Sequence, residues 1–128
     1  MAKPNSSKSQ HKVLIIDDEE GIRESLKLIL SDFYDLIVVE NGDAAKDVLS
    51  QSRDDIGLML LDIKMPRTNG LDILKDIKSL YNDLPIIIVT GYKSVDTAAE
   101  AVRLGANGYI VKPFKSDEIL ATVRKKMG

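Results

Sequence analysis

The run Val13-Leu14-Ile15-Ile16-Asp17-Asp18-Glu19-Glu20 sets four apolar residues directly against four acids. Four apolar residues in a row do not alternate in polarity, so a strand made of them is covered on both faces. That is the condition of a parallel strand inside a layered α/β domain. Working outward, similar runs recur at residues 36–39, 58–61, 86–89 and 109–111, which gives five candidate strands rich in Val and Ile. The stretches between them have helical spacing. Ile22, Leu26, Ile29, Leu30 and Phe33 form one stripe, Ala45, Val48 and Leu49 a shorter one, and Leu71, Ile73, Leu74 and Ile77 a third. Val95, Ala98, Ala99 and Val102 follow, and then Ile119, Leu120, Val123 and Met127. Ser116 is expected to cap the last helix and Gly105 to end the fourth.

Five strands alternating with five helices through short connections imply a parallel sheet with right-handed crossovers, because no hairpin can reach a parallel partner. The expected architecture is α/β, a three-layer doubly wound sandwich. At 128 residues and 14.1 kDa the chain suits one folded domain, expected over residues 12–128 behind a flexible leader at residues 1–11. The 44% apolar content can build a core. There is no cysteine, so neither a disulfide framework nor a thiolate metal site exists. Apolar runs this short cannot span a bilayer, so the expected location is cytoplasmic. Lys3, Lys8 and Lys12 lie in the acid-free start of the chain, which leaves the rest more acidic than the overall net charge of −2. Direct nucleic-acid binding is therefore not expected, since gripping a phosphate backbone draws on clustered Lys and Arg.

In doubly wound sheets, ligands bind beyond the carboxyl ends of the strands. There the sequence places Asp17-Asp18-Glu19-Glu20 after strand one, Asp62 after strand three, Thr90-Gly91 at strand four and Lys112-Pro113 after strand five. Each alone has a plainer reading: acids before a helix cap it, a Thr marks a sheet edge, and Lys-Pro makes a turn. Together, Asp17, Asp18 and Asp62 would put three negative charges in one pocket, which calls for a cation. Oxygen ligands without His or Cys favour a hard ion, Mg²⁺ above all. The ion and the Lys112 ammonium would neutralise the pocket and leave it able to receive a phosphoryl group.

On these residues the sequence resembles the receiver domain of two-component response regulators, the CheY-like superfamily, across residues 12–127. The matching segments are Val13-Leu14-Ile15-Ile16-Asp17-Asp18-Glu19, Leu60-Leu61-Asp62-Ile63-Lys64-Met65-Pro66 through Asn69-Gly70, Ile88-Val89-Thr90-Gly91 and Gly108-Tyr109-Ile110-Val111-Lys112-Pro113-Phe114. Asn69 stands where many relatives carry Asp, though Asn-Gly still supplies turn chemistry and Gly70 can take positive φ. The resemblance implies a flavodoxin-like five-stranded sheet of order 2-1-3-4-5. It implies that Asp62 accepts a phosphoryl group from a sensor histidine kinase or a histidine phosphotransfer protein. Asp17, Asp18, Asp62 and the backbone carbonyl of Lys64 would hold Mg²⁺, with Lys112 and Thr90 contacting the phosphoryl oxygens. Gly91 would leave room for the group to enter, and a cis bond before Pro113 would aim Lys112 inward. The resemblance makes the chain a phosphoacceptor signalling domain rather than an enzyme acting on a separate substrate. A monomer, or a homodimer promoted by phosphorylation, is expected.

Two further readings follow. Tyr109 is either an aromatic packing the sheet edge with its hydroxyl in water, or a switch that turns inward when Thr90 moves toward the phosphate. The second would reshape a helix 4, strand 5, helix 5 surface that controls an effector. Lys64 and Tyr92 lie two residues past Asp62 and Thr90 and are bulky, so they are expected to shield the site from water and slow self-dephosphorylation. Two rival functions share the fold. A Mg²⁺-dependent phosphohydrolase with an aspartate nucleophile needs a second acid at the place Lys64 holds, and a phosphate-independent scaffold would not need the acidic set.

Overall fold

The computed structural model describes residues 11–66 and 68–127. The leader expected at residues 1–11 lies outside the described residues apart from His11. The central sheet has five parallel strands, β1 (Lys12–Ile16), β2 (Asp35–Val39), β3 (Ile56–Leu61), β4 (Ile86–Thr90) and β5 (Gly108–Val111), in the spatial order 2-1-3-4-5. Helices α1 (Glu20–Leu30), α2 (Gly42–Ser52), α3 (Gly70–Leu80), α4 (Val95–Arg103) and α5 (Ser116–Met127) connect and follow them. A 3₁₀ turn at Arg53–Asp55 leads into β3.

The unbroken apolar runs divide between two cores because successive strand residues point to opposite faces. Leu14, Ile16, Met59, Leu61, Ile86 and Ile88 pack with Ala45, Leu49, Ile73, Leu74, Ile77 and Ala101 from α2, α3 and α4. Val13, Ile15, Leu58, Leu60, Ile87 and Val89 face the other way, onto Leu26 and Leu30 of α1 and Ile119 and Val123 of α5. This two-sided burial makes the sandwich three layers deep.

Several local details differ from the sequence reading. The connection from Asp62 to α3, expected to be only a turn, contains a two-residue antiparallel ladder in which Lys64 pairs with Asn69 and Met65 with Thr68. Gly70 does not take positive φ. Asn69 caps α3, its Oδ1 accepting the Leu71 N–H at 2.9 Å. A glycine is needed at 70 for another reason: a Cβ there would stand 2.2 Å from the Ile63 Cα. Ser116 is the first residue inside α5 rather than its cap, because the Ile119 N–H already reaches the Lys115 carbonyl at 3.2 Å. Gly105 does end α4, at φ +107°. The Gly105 N–H bonds the Val102 carbonyl and the Ala106 N–H bonds that of Ala101, the paired bonds of a Schellman motif.

Candidate functional site

Strand register brings the strand-end residues to one level. Ile16 pairs with Leu61, so the next residues, Asp17 and Asp62, leave the sheet side by side, and the Asp62 N–H bonds the Ile16 carbonyl at 3.0 Å. Thr90 pairs with Val111, and the Lys112 N–H continues the ladder to the Thr90 carbonyl at 2.8 Å. Asp62 and Lys112, 50 positions apart along the chain, thus meet because parallel strands end together.

The Lys112 ammonium joins the acids. It donates to Asp17 Oδ2 at 2.9 Å, to Glu19 Oε1 at 2.9 Å and to Asp62 Oδ2 at 3.0 Å. Asp17 and Asp62 are almost fully buried, at 2% and 1% exposure. Their other oxygens accept backbone N–H groups, that of Glu19 at 2.9 Å for Asp17 and that of Lys64 at 2.9 Å for Asp62. Burial alone would lower the Lys112 pKa, but the hydrogen bonds to Asp17, Glu19 and Asp62 outweigh it and hold the ammonium above its ordinary value. Asp17 is raised above its ordinary value chiefly by burial, against the pull of the Glu19 N–H and Lys112.

A cleft of about 530 Å³ opens on this cluster, lined by Asp18, Glu19, Ile22, Asp62, Lys64, Gly91, Lys112 and Pro113. Carboxylate oxygens of Asp17, Asp18, Glu19 and Asp62 all lie within 4.8 Å of one another. Asp18 Oδ1 is buried and accepts no hydrogen bond. A buried acceptor without a donor is costly unless a ligand supplies positive charge. One ammonium among four carboxylates leaves net negative charge, and the donors are all oxygen. The residues present therefore fit a hard divalent cation such as Mg²⁺.

Thr90 is fully buried, and its Oγ1 takes the Tyr92 N–H at 3.5 Å. A Cβ built on Gly91 meets no atom within 4 Å, so packing does not demand glycine there. The Lys112–Pro113 peptide is cis. Tyr109 stands outside the cleft, where its hydroxyl donates to the Tyr92 carbonyl at 3.0 Å. Burial, with Asp62 and Tyr92 nearby, lifts its pKa above the ordinary phenol value. Lys64 and Tyr92 meet each other, the ammonium lying 5.4 Å from the ring centroid.

Two residues given no role in the sequence reading take part. Glu19 was legible only as one acid in a run, and it proves to be a full partner of Lys112. Arg23 reaches back from α1 to the Asp17 carbonyl at 2.8 Å. Its sequence signal is a cation placed early in a helix, where the dipole disfavours it.

Fold and site together define a class, the α/β domains with one parallel sheet and an acidic cup at its carboxyl edge. Within that class, residues 13–124 match the family model of the response regulator receiver domain, and the chain belongs to that family. Response regulator MprA of Mycobacterium sp. (strain KMS) is 35% identical over 114 residues, covering 88% of this chain and 49% of the relative. The chain thus spans about half the length of the curated relatives it matches. The CheY-like receiver domain protein of Methanospirillum hungatei JF-1 superposes with a TM-score of 0.85 at 28% identity, covering 93% of this chain and 94% of that one. NtrX from Brucella abortus gives 0.84 at 30% identity, covering 94% of this chain but only 27% of its own. The protein is a receiver domain of two-component signalling, a signalling domain rather than a conventional enzyme. Among the described residues no helix is long and apolar enough to cross a membrane.

Proposed function

We propose that Asp62 is the phosphoacceptor of this receiver domain, that Asp17, Asp18, Asp62 and the Lys64 backbone carbonyl hold Mg²⁺, and that Lys112 and Thr90 receive the phosphoryl oxygens. The observation that carries the reading is the pairing of Lys112 with both Asp17 and Asp62 beside the unpartnered Asp18 Oδ1, where Asp18, Asp62 and Lys112 line an open cleft. The two hydrogen bonds accepted by the Asp62 carboxylate leave lone pairs on both oxygens for attack. In the step, an Asp62 oxygen forms a bond to the phosphorus of a phosphohistidine. The phosphorus–nitrogen bond breaks, and its electron pair leaves with the imidazole. Bound Mg²⁺ would supply positive charge against the phosphoryl oxygens.

Lys112 then exchanges a carboxylate partner for a phosphoryl oxygen, which a point charge on a flexible stem can do without rearranging the backbone. Thr90 gives up its long contact with the Tyr92 N–H to donate to the phosphate. The Tyr92 carbonyl is what holds the Tyr109 hydroxyl, so movement of this loop frees Tyr109 to turn. The surface of α4, β5 and α5 would change with it, and it carries Val95 and Val102 at 81% and 60% exposure. A sensor histidine kinase or histidine phosphotransfer protein is the expected donor, an effector or second copy the expected reader, and the cytoplasm the expected location. Lys64, which lines the cleft, and Tyr92, whose ring it covers, are expected to slow hydrolysis of the aspartyl phosphate.

Mass spectrometry after treatment with acetyl phosphate and Mg²⁺ tests this. One added phosphoryl group on the parent and none on Asp62→Asn is expected. An unmodified parent, or equal labelling of the variant, overturns the assignment.

A further inference from the structure

Arg23 is the fourth residue of α1, and its own N–H makes the bond to the Glu19 carbonyl that opens the helix. A cation in that position opposes the helix dipole, so local energetics argue against it. Its side chain is nevertheless only 14% exposed, and it is extended toward the end of the sheet. One guanidinium nitrogen donates to the backbone carbonyl of Asp17 at 2.8 Å, and the other lies 3.3 Å from Glu40 Oε1, just past β2. Glu40 is 71% exposed, so that ion pair is weak, and the short contact to the carbonyl is what holds the buried end. The Asp17 N–H is in turn tied to the Val39 carbonyl at 3.3 Å.

We propose that Arg23 is a positioning residue for the cation cup: by clamping the Asp17 carbonyl it fixes the loop from which Asp17, Asp18 and Glu19 project. The inference rests on the cation-site reading above and deepens it. Three of the four clustered carboxylates belong to consecutive residues of this one short loop, and they repel one another. Without an anchor the loop would relax away from the compact arrangement that a small divalent ion requires. The Asp17 side chain is fixed by Glu19 and Lys112, but its main chain after β1 is held by Arg23 on one side and β2 on the other. Groups behind a metal ligand commonly change affinity when removed, even though they never touch the ion.

Positioning and simple electrostatics make opposite forecasts. As a mere positive charge near the cup, Arg23 would repel a cation, and removing it would tighten binding. As a clamp, its removal weakens binding, and a lysine cannot replace it because its ammonium ends one bond short of the guanidinium nitrogen that meets the Asp17 carbonyl.

The test is Mg²⁺ titration of the full chain, followed by amide NMR shifts, on the parent, Arg23→Gln, Arg23→Lys and Glu40→Gln, with thermal unfolding of each without Mg²⁺. The expected result is a Kd for Mg²⁺ raised roughly tenfold in both Arg23 variants. Glu40→Gln should stay within about twofold of the parent, as an exposed ion pair should. The Asp17 carbonyl ¹³C shift should move in the cation-free Arg23 variants. Unchanged or tighter binding in Arg23→Gln overturns the clamp, as does a Glu40→Gln loss equal to that of Arg23→Gln. A parent that binds no Mg²⁺ overturns the cation-site reading itself, and the clamp with it. If Arg23→Gln fails to fold, the Arg23→Lys titration decides: parent-like affinity there overturns the clamp.

Discussion

At the residue scale, the acidic cup is built at the expense of stability. Asp17 is held above its ordinary value of 3.8, so the folded chain binds that proton more tightly than the unfolded chain. Its favourable contribution is therefore present below that ordinary value and is lost as pH rises through the raised one. In cation-free buffer, Asp17→Asn is expected to be more stable than the parent at neutral pH, with the gap shrinking on acidification. Urea unfolding across that range measures it, and added Mg²⁺ should close the gap by stabilising the parent alone. Lys112 shifts stability with pH in the same direction but in an alkaline window, so at neutral pH its charge stabilises the fold. Its raised pKa means that its pairing is intact below the ordinary value of 10.5 and is lost only as pH rises above it. Lys112→Ala would leave Asp17 and Asp62 buried without their shared cation, so loss of phosphorylation-dependent behaviour is expected, read as unchanged NMR shifts at Tyr109 after acetyl phosphate. Lys64→Asn removes the ammonium from the Tyr92 ring, and a faster decay of the aspartyl phosphate than in the parent is expected by mass spectrometry.

At the element scale, two glycines have different physical reasons and should respond differently. Gly105 takes φ +107° at the end of α4, which an L side chain resists, and Gly105→Ala is expected to cost about 1–2 kcal/mol in urea unfolding. Gly70 is not at positive φ but lies against the Ile63 main chain, with no flexible side-chain tip to move aside. Gly70→Ala should cost roughly 3 kcal/mol and disturb the segment that follows Asp62. The sequence reading identified the first correctly, because a glycine after a helical stripe is a strong local signal. It took the second for a conformational need because close approach between distant backbones leaves no mark in local order. Ser116 and the ladder of Lys64–Met65 with Thr68–Asn69 escaped for a similar reason: both turn on a single hydrogen bond or pair of residues.

At the scale of the whole molecule, the site is a product of topology. Five strands ending at one edge bring Asp17, Asp62 and Lys112 into contact and set Thr90 at a neighbouring strand end, and the exposed α4 face follows the loop that carries Tyr92. Apolar runs too continuous for a one-sided strand, separated by stripes of helical spacing, were enough by themselves to establish five strands, five helices and a two-sided core. They also marked the strand-end residues, because solvation confines charged groups to the ends of buried strands. Only the tertiary structure decided how those residues are partnered. That Lys112 bonds Glu19 as well as the two aspartates, that Tyr109 latches onto the Tyr92 carbonyl, and that Arg23 turns back against its helix dipole to hold Asp17 all depend on side-chain reach across the fold. Periodicity along a chain records which face a residue occupies, whereas the choice among several nearby acceptors is made by distances of a few ångströms that exist only after the strands are in register.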